Sequence, residues 1–427
     1  MLSIIKHLQY LIFWFGIYYL SVSLAGLFTR RCRQEHPPQM RFAIIIPAHN
    51  EERVIGKLVK NLVNLHYPRH LYDLYVVADR CNDRTAAVAR EEGAIVWESP
   101  HHRGGGKGQV LSYALSRLGF TRGKADNYDA AVFFDADNLV DKNFLQVMNN
   151  RLLEGEKIIQ SFIDSKNPND SWISSTFSIT FWLNNRFVLL ARHNLGLSCG
   201  LAGTGMCISK EVLNKIGWST VTLTEDLEFS IQALIEGYRT RFAAETRIYD
   251  EKPLTFITSS RQRLRWARGQ LNVALLYLPR LLFRGILEGD IARIEGGLRL
   301  LQLFVIAAGG LLIPITLLKP ELLTFTSIYQ QVQARFPLLN IALVTLPYIF
   351  PLLTLWMDRL PRRPFRYFPL YPIFTFSWVP IVIAALFTGH VRRWMPTEHT
   401  RDLDYYQLPV LNSRSSRTKS IPERQEM

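Results

Sequence analysis

The sequence predicts an α/β domain, with a mostly parallel sheet and helices on both faces, that is inserted between transmembrane α-helices. Hydrophobic residues make up 48% of the chain, but they concentrate in four stretches without Asp, Glu, Lys or Arg: 8–29, 300–318, 336–357 and 367–391. Each stretch has about the ~20 residues that a helix needs to cross a bilayer. Between the first two, short apolar runs alternate with helical patterns, which is typical of a parallel sheet covered by helices.

The apolar stretches divide the chain into five parts. Residues 1–30 predict an uncleaved transmembrane anchor, because the apolar run is longer than the core of a signal peptide and the basic cluster follows it. Positive charge is retained on the cytosolic side, so we expect a multi-pass protein of the plasma or inner membrane with the domain at 40–270 in the cytoplasm. The mixed segment 271–295 predicts an interfacial amphipathic helix. Residues 296–391 would hold about three transmembrane segments, followed by a basic C-terminal tail at 392–427.

The side of the membrane on which the tail lies stays open. Three spans after a cytosolic domain would leave the tail outside, whereas its basic residues favour the cytosol. The last apolar stretch contains Pro369, Pro372 and Pro380. Proline removes a helical hydrogen bond, so a broken or re-entrant segment is the alternative to a third complete span.

The net charge of +14 arises from 50 Lys and Arg residues against 36 Asp and Glu residues. It does not indicate nucleic-acid binding, because no stretch interleaves basic and aromatic residues and no recognition motif is present. Nucleic acid is therefore not an expected partner. The four cysteines lack C-x-x-C spacing, so neither a zinc site nor a disulfide framework is predicted.

Strands and helices alternate regularly between residues 42 and 134. Apolar runs predict strands at 42–47, 74–78, 94–97 and 130–134, and helical periodicity predicts helices at 49–65, 85–92 and 109–118. Sheets of this kind bind ligands at the carboxyl ends of their strands. The residues just after each strand are therefore the first place to look for a site.

Four aspartates follow two of these strands. Asp79 and Asp83 come after the second strand, and Asp135 and Asp137 come after the strand at 130–134. A lone Asp in such a place is commonly a turn or cap residue. Two carboxylates at D-x-D spacing also suit a hard divalent cation, which takes one or two carboxylates together with substrate phosphates. The spacing therefore predicts a metal–diphosphate site.

A glycine-rich loop at 101–108 opens the helix at 109–118. Glycines let backbone N–H groups approach an anion closely, and Lys107 adds a positive charge suited to a phosphate. The Walker spacing is absent, so ATP hydrolysis is not predicted. A flexible turn is the alternative interpretation of this loop.

Glu225 and Asp226 follow Thr224 at the start of an amphipathic helix predicted at 227–237. In one interpretation Thr224 and Asp226 only cap this helix. In the other, a carboxylate near the glycines of 203–205 acts as general base towards a hydroxyl. Spacing alone does not decide between the two.

Gln262, Arg265 and Trp266 share one face of a helix, because they are spaced at i, i+3 and i+4. A charged run of this kind is usually a solvated face. A guanidinium also forks onto phosphate oxygens, and an indole stacks on a sugar ring, so the same face suits a sugar diphosphate.

Taken together, seven motifs resemble those of the membrane-embedded family 2 glycosyltransferases, which include cellulose, hyaluronan and poly-N-acetylglucosamine synthases. The motifs are Pro47-Ala48-His49-Asn50-Glu51, Ala78-Asp79 with Asp83, Gly106-Lys107-Gly108, Asp135-Ala136-Asp137, Gly203-Thr204-Gly205, Thr224-Glu225-Asp226 and Gln262-x-x-Arg265-Trp266. They occur in order over residues 42–270. The resemblance implies a GT-A type nucleotide-sugar domain, a Mg²⁺ or Mn²⁺ cofactor and inversion at the anomeric carbon.

The resemblance also implies a role for each matching residue. Pro47, Glu51 and Asp79 would line the nucleotide, Lys107 would face it, and Arg265 would stabilise the departing diphosphate. Asp135 would meet the ribose or diphosphate and share the metal with Asp137. Asp226 would be the catalytic base. The residues implied near the acceptor are Gly203, Thr204, Glu225, Gln262 and Trp266. One departure lies at Arg80-Cys81-Asn82, where many relatives carry glycine and serine, so nucleotide contacts there are less certain.

Three functions are compatible with this pattern. The first is processive transfer from a UDP-sugar to a growing β-linked polysaccharide, coupled to translocation across the membrane. The alternative is transfer of one sugar to a membrane lipid. The third, a catalytically inactive membrane scaffold or transporter, is disfavoured because every expected acidic position is filled. Motifs do not reveal the donor sugar, since the shape of its pocket selects it.

Overall fold

The computed structural model describes residues 2–29, 34–99, 106–121, 123, 127–318, 334–391 and 403–408. Eight strands form one sheet: β1 Phe42–Ala48, β2 Tyr72–Ala78, β3 Ile95–Glu98, β4 Ala130–Phe133, β5 Leu139–Val140, β6 Ile158–Ser165, β7 Met206–Ser209 and β8 Thr240–Asp250. Their order is β3-β2-β1-β4-β7-β6-β8-β5. The strands β1 to β4 pair in parallel, as do β6 and β8, whereas β7 and β5 pair antiparallel with their neighbours. The prediction of a mostly parallel sheet is confirmed.

The helices fall into two groups, one on the sheet and one beyond it. Helices up to residue 235, apart from the first, belong to the domain. The α-helices are α1 Leu2–Leu24, α2 Ile55–Val63, α3 Thr85–Glu91, α4 Lys107–Arg117, α5 Phe144–Leu153, α6 Trp172–Asn184, α7 Ala191–Asn194, α8 Lys210–Ile216, α9 Glu225–Ile235, α10 Phe256–Leu287, α11 Ile291–Leu318, α12 Pro337–Met357, α13 Tyr371–Phe376 and α14 Trp378–Thr388. A π-helical segment, Asn185–Leu190, joins α6 to α7.

Alternation along β1 gives the sheet two apolar faces. Phe42 and Ile44 point to one face, where they join the buried side chains of α2 and α5. Ala43 and Ile45 point to the other, where α4, α8 and α9 cover the sheet. Successive side chains of a strand point to opposite faces, so an unbroken apolar run is required when both faces are covered. Helices on both faces were predicted, and they are confirmed.

The predicted strands agree with β1 to β4 to within about two residues. The helix predicted at 49–65 begins later, at Ile55, so its start was wrong. Asn50 has a left-handed φ of 56°, and its side chain accepts a hydrogen bond from Asn82 N at 2.8 Å. Residues 49–54 are therefore a loop tied to the neighbouring strand end, despite a helical pattern.

Within the described residues, three helical segments are long and apolar enough to cross a membrane: His7–Leu27, Ile291–Leu312 and Arg363–Thr388. A shorter apolar segment, Tyr348–Met357, ends α12. The last of the three is broken. It consists of a 3₁₀ segment, Arg363–Leu370, followed by α13 and α14, which meet at Ser377. The broken or re-entrant alternative to a complete span stays a prediction for this proline-rich stretch.

The segment 271–295 is divided between two helices, so the prediction of a single amphipathic helix was wrong. The first helix, α10, begins at Phe256 and ends at Leu287, and α11 begins at Ile291. Gly289 has a φ of 63°, which ends the helix, and the Asp290 side chain accepts a hydrogen bond from Ala292 N at 2.9 Å. An interfacial position for α10 stays a prediction.

The segment 403–408 packs on the eight-stranded sheet. Asp404 pairs with Lys57 at 3.3 Å, and the Tyr405 hydroxyl donates to Asp141 Oδ1 at 3.1 Å. Leu408 is fully buried against Leu139 of β5 and Tyr249 of β8. Residues in contact cannot lie on opposite sides of a bilayer, so this part of the tail lies on the same side as the sheet.

Candidate active site

The loops after β1 and β2 form one end of the site. Asp79 is 5% exposed, and the Arg80 guanidinium lies 2.8 Å from its Oδ2. The other carboxylate oxygen, Oδ1, is buried and has no hydrogen-bond partner in the described part of the chain. An unsatisfied buried acceptor is costly, so this oxygen is suited to receive an N–H from a bound base.

Hydrogen bonds join these two loops to each other. Glu51 N donates to Thr85 Oγ1 at 2.7 Å, and Glu52 N donates to Asp83 Oδ2 at 3.1 Å. Thr85 in turn donates to Asp83 Oδ1 at 2.5 Å, and these bonds hold the pKa of Asp83 below its usual value despite partial burial. Pro47 lies opposite Val77 in the parallel register. The residues predicted around the nucleotide are therefore brought to one edge of the sheet.

Lys107 lies at the centre of the site, at the first residue of α4. Its Nζ is 2.5 Å from Asp135 Oδ1, donates to the Gly203 carbonyl at 2.7 Å and lies 3.7 Å from Glu225 Oε1. Burial alone would lower the pKa of Lys107, but Asp135 and Glu225 outweigh burial and raise it. Lys107 is therefore held in its charged form, between the Asp135 loop on one side and Gly203 and Glu225 on the other. The rest of the glycine-rich loop, 101–105, lies outside the described residues.

Asp137 lies at the strand end beside Asp135 and is 6% exposed. Asn138 Nδ2 donates to its Oδ1 at 3.1 Å, and Glu251 N donates to its Oδ2 at 3.2 Å. In the described part of the chain, no group of three His, Cys, Asp or Glu residues is arranged to hold a metal. A pair of carboxylates is nevertheless the donor set expected for a cation that completes its shell with substrate phosphates and water.

Thr204 supports the Asp135 loop directly. It is 3% exposed, its Oγ1 accepts a hydrogen bond from Asp135 N at 3.1 Å, and it donates to Asn138 Oδ1. Its hydroxyl is therefore occupied inside the domain. Contact between Thr204 and an acceptor stays a prediction, and the contacts present position a carboxylate.

Asp226 lies in the first turn of α9, on the other side of Lys107. Burial, reinforced by the charge of Glu225, raises the pKa of Asp226 to about 7, although Leu227 N–H and Lys107 oppose the shift. A Cβ placed on Gly203 would lie 3.5 Å from Asp226 Oδ2 and 3.8 Å from Lys107 Nζ. Gly203 has a φ of 85°, a conformation that favours glycine, so the residue beside these two groups carries no side chain. A carboxylate with a pKa near neutrality is well matched to general-base catalysis.

The remaining motif, Gln262-x-x-Arg265-Trp266, lies on α10, which packs against the segment that precedes Asp226. A Cβ on Gly269 would lie 2.5 Å from Thr224 Oγ1, so the helix backbone touches the residue before Glu225. On the same helix, Gln262 Oε1 is buried without a partner in the described chain. Trp266 packs edge-on against Phe177 at 5.8 Å between ring centroids and lies 6.2 Å from Phe181. Arg265 is half-buried.

Two residues that the sequence reasoning missed, Asp250 and Lys252, lie at the end of β8. Lys252 Nζ is 2.6 Å from Asp250 Oδ1 and 3.3 Å from the centroid of the Phe181 ring. Burial raises the pKa of Asp250 to about 6, opposed by Lys252 and reinforced by Asp137. The signal was weak, because Asp250 is the last residue of β8, and β8 contains Arg241, Glu245 and Arg247 instead of a continuous apolar run.

Comparison with known proteins identifies the domain. A family model described as "Glycosyltransferase like family 2" matches residues 37–269. The chain is 29% identical over 251 residues to the "Probable glycosyltransferase YdaM" of Bacillus subtilis, covering 56% of this chain and 57% of that protein. It is 28% identical over 268 residues to the "Beta-monoglucosyldiacylglycerol synthase" of a Nostoc species, covering 60% and 54% respectively. The matches thus span little more than half the length of these relatives.

Among solved structures, the mannosyltransferase PcManGT of Pyrobaculum calidifontis, in complex with GDP-Man and Mn²⁺, matches with a TM-score of 0.58. The match covers 91% of this chain and 99% of that one, at 17% sequence identity. At this identity the likeness shows the fold alone, which is the GT-A type that the motifs predicted.

Proposed function

The chain belongs to the glycosyltransferase-like family 2, and on that premise we propose that it transfers a sugar from a UDP-sugar to an acceptor hydroxyl, with inversion. One observation carries the proposal: Asp226 is a half-buried carboxylate with a pKa of about 7, and a Cβ built on Gly203 would lie 3.5 Å from its Oδ2 and 3.8 Å from Lys107 Nζ. Bases of this kind are tuned by burial and by a like charge, and Glu225 supplies that charge.

In the proposed reaction the acceptor O–H gives its proton to Asp226, and its oxygen forms a bond to the anomeric carbon. The bond from that carbon to the phosphate oxygen breaks on the opposite face, and UDP leaves with the electron pair. Lys107, at the first turn of α4, and Arg265, on α10, are the cations suited to the negative charge that develops on the diphosphate. Asp79 would accept a hydrogen bond from the base.

Asp135 and Asp137 are the residues suited to hold a divalent cation, Mg²⁺ or Mn²⁺. Such a cation would supply further positive charge at the diphosphate. Asn138 and Glu251 N orient the Asp137 carboxylate, and Thr204 orients the Asp135 loop. These contacts orient both carboxylates before a cation binds, so ordering them would cost little of the free energy of cation binding.

The acceptor is either a growing polysaccharide or a membrane lipid. Processive polymer synthesis was the leading prediction from the motif on α10 and the apolar segments that follow it. Single transfer to a lipid is supported by the printed name of the Nostoc relative, which makes a glucosyl diacylglycerol. In both cases we place the protein in a membrane with its catalytic domain in the cytoplasm, as the basic residues after the anchor indicate.

The test uses the purified full-length protein in lipid nanodiscs with Mg²⁺ or Mn²⁺. UDP-glucose, UDP-N-acetylglucosamine, UDP-galactose and UDP-glucuronate are screened for UDP release. At least one donor should be turned over, and Asp226→Asn should lower kcat by about 10²- to 10⁴-fold, the usual contribution of a general base. Asp170→Asn, at an exposed carboxylate, is the matched control. Turnover that survives in Asp226→Asn would contradict the assignment of the base.

A further inference from the structure

A cavity of about 860 Å³ lies among helices outside the sheet. Its walls come from five separate parts of the chain: α1, α6, α10, α11 and the broken segment of α13 and α14. A cavity of this size is within the ~300–1,000 Å³ range of small-molecule sites. None of the motifs that define the family accounts for it.

The cavity continues the face of α10 that carries the motif. Gln262, Trp266 and Gln270 are spaced at i, i+4 and i+8, so they form one stripe, and Gln270 lines the cavity. Eight residues of helix rise roughly 12 Å. Thr180, another lining residue, precedes Phe181, which packs on Trp266. Trp266 therefore lies one helical turn from Gln270, and Gly269, which approaches Thr224, lies between them in the chain.

Four amides line the cavity, and two of them already have partners: Gln9, and Gln302, whose Oε1 accepts a hydrogen bond from the Tyr19 hydroxyl at 3.0 Å. In the described part of the chain, neither Gln270 nor Asn184 makes a hydrogen bond, and both are half-buried. The two lining hydroxyls are already committed, since Thr180 donates to Thr176 O at 2.9 Å and Thr375 donates to Pro372 O at 2.9 Å. An amide in a largely apolar wall gains most from a ligand with a hydroxyl or an ester carbonyl.

No charged side chain is among the described residues that line the cavity. Behind the wall, Arg192 Nε donates to Glu295 Oε1 at 2.8 Å, the Tyr18 hydroxyl donates to the same oxygen at 2.5 Å, and Arg299 donates to the Cys199 carbonyl. Because no cation is among the described lining residues, a lipid phosphate in the cavity would lose hydration without direct compensation. The chemistry of the wall favours a neutral ligand.

Apart from the four amides and the two hydroxyls, the wall is mostly aliphatic and aromatic, with Ile12, Leu303, Ile306 and Val379 among its residues. A saccharide chain carries hydroxyls along every edge, and four amides in such a wall would leave most of them unsatisfied. Acyl chains gain free energy from burial against such a surface. A glycerolipid combines both requirements, because it has a polar glycerol end and apolar chains.

We infer that this cavity binds the acceptor, a neutral hydroxyl-bearing glycerolipid of the diacylglycerol class. The inference rests on the proposed function and decides between its two acceptors. The glycerol hydroxyl points past Trp266 to Asp226, which takes its proton as the oxygen bonds to the anomeric carbon and UDP departs. Gln270 and Asn184 bind the ester and hydroxyl oxygens, and the acyl chains lie among α1, α11 and α14.

Binding is tested first, without catalysis. In Asp226→Asn protein in nanodiscs, a diacylglycerol with a diazirine in one acyl chain should crosslink to peptides of α1, α11 or α14, and excess dioleoylglycerol should compete. Gln270→Leu and Asn184→Leu should each reduce labelling roughly five- to tenfold, the loss typical of one hydrogen bond. Gln146→Leu, a half-buried glutamine on α5 far from the cavity, is the matched control. Labelling unaffected by both cavity variants would overturn the inference.

Transfer is tested next with dioleoylglycerol, dioleoyl phosphatidic acid or no added acceptor, for each donor that releases UDP. We expect label in an organic-soluble neutral glycolipid, and in Gln270→Leu a KM for dioleoylglycerol raised roughly five- to tenfold with the KM for the donor unchanged. Label in a polymer, or only with phosphatidic acid, would overturn the inference but leave the proposed function standing. Absence of turnover with every donor would contradict the proposed function. The crosslinking experiment would still test whether the cavity binds the lipid.

Discussion

The donor end and the acceptor end of the site differ in secondary structure and in charge. The donor end consists of short loops at strand ends, where Asp79, Lys107 and Asp135 are held by ion pairs and hydrogen bonds of 2.5–2.8 Å. The acceptor end consists of helices, and its described wall contains four amides, among them Gln270 and Asn184, and no charged side chain. The difference shows that each end matches its ligand in charge: a diphosphate needs fixed cations and a metal, whereas a hydroxyl needs only a base.

Loss of a metal ligand should give the largest effect on the donor end. We expect Asp137→Asn to lower kcat/KM roughly 10²- to 10³-fold, as removal of one electrostatic stabiliser of a transition state does. UDP release is measured against Mg²⁺ and Mn²⁺ concentration, and the metal concentration for half-maximal rate should rise. Labelling by the diazirine lipid should not change, because the cavity lies at the other end. Reduced labelling of Asp137→Asn would contradict the independence of the donor and acceptor ends.

A substitution where the ends meet should affect both. Gly269→Ala would place a Cβ 2.5 Å from Thr224, so we expect overpacking that costs about 1–3 kcal/mol and displaces Asp226. Thermal unfolding measures the stability, and donor and acceptor KM values measure the site. Gly16→Ala is the matched control, since nothing lies within 4 Å of a Cβ there. Adding Thr224→Ala to Gly269→Ala should restore part of the stability, and no recovery would locate the strain elsewhere.

A change in pH dependence is the smallest predicted effect. Asp226 must be deprotonated to act as base, so the rate should fall as pH drops below about 7. The charge of Glu225 raises the pKa of Asp226, so Glu225→Gln should move this fall to lower pH. The pH profile of kcat/KM for the acceptor measures the shift, with Glu236→Gln at the far end of α9 as the control. If the fall in kcat/KM at low pH occurs at the same pH in Glu225→Gln, the charge of Glu225 does not raise the pKa of Asp226.

The donor end could be predicted from the sequence because its residues follow directly after strands. The β-branched run before Pro47 and the apolar run before Asp135 reveal the strands, and their ends must meet in a parallel sheet. Asp250 is the last residue of a strand, but β8 contains Arg241, Glu245 and Arg247 instead of a continuous apolar run, and it was missed. The loop at Asn50 was misread as helix, since a tertiary hydrogen bond to Asn82 outweighs local periodicity.

The acceptor cavity could not be predicted from the sequence. Asn184 and Gln270 come from helices 86 residues apart in the chain, and each is an unremarkable polar residue in its own segment. Only the packing of α6 against α10 and α13 brings them to one space. The division of 271–295 at Gly289 has a similar origin, since a glycine in a mixed segment is compatible with both a helix and its end.

The contact of Leu408 with β5 and β8 has a consequence for the order in which the protein is made. Leu408, a core residue of the sheet edge beside Asp137, is synthesised roughly 160 residues after Asp250, behind the described apolar helices. At ~5–20 residues per second, the ribosome needs roughly ten to thirty seconds for that stretch. During this time the edge next to the proposed metal-binding carboxylates lacks the apolar cover that Leu408 provides. Completion of this edge of the domain therefore waits until residue 408 has been translated.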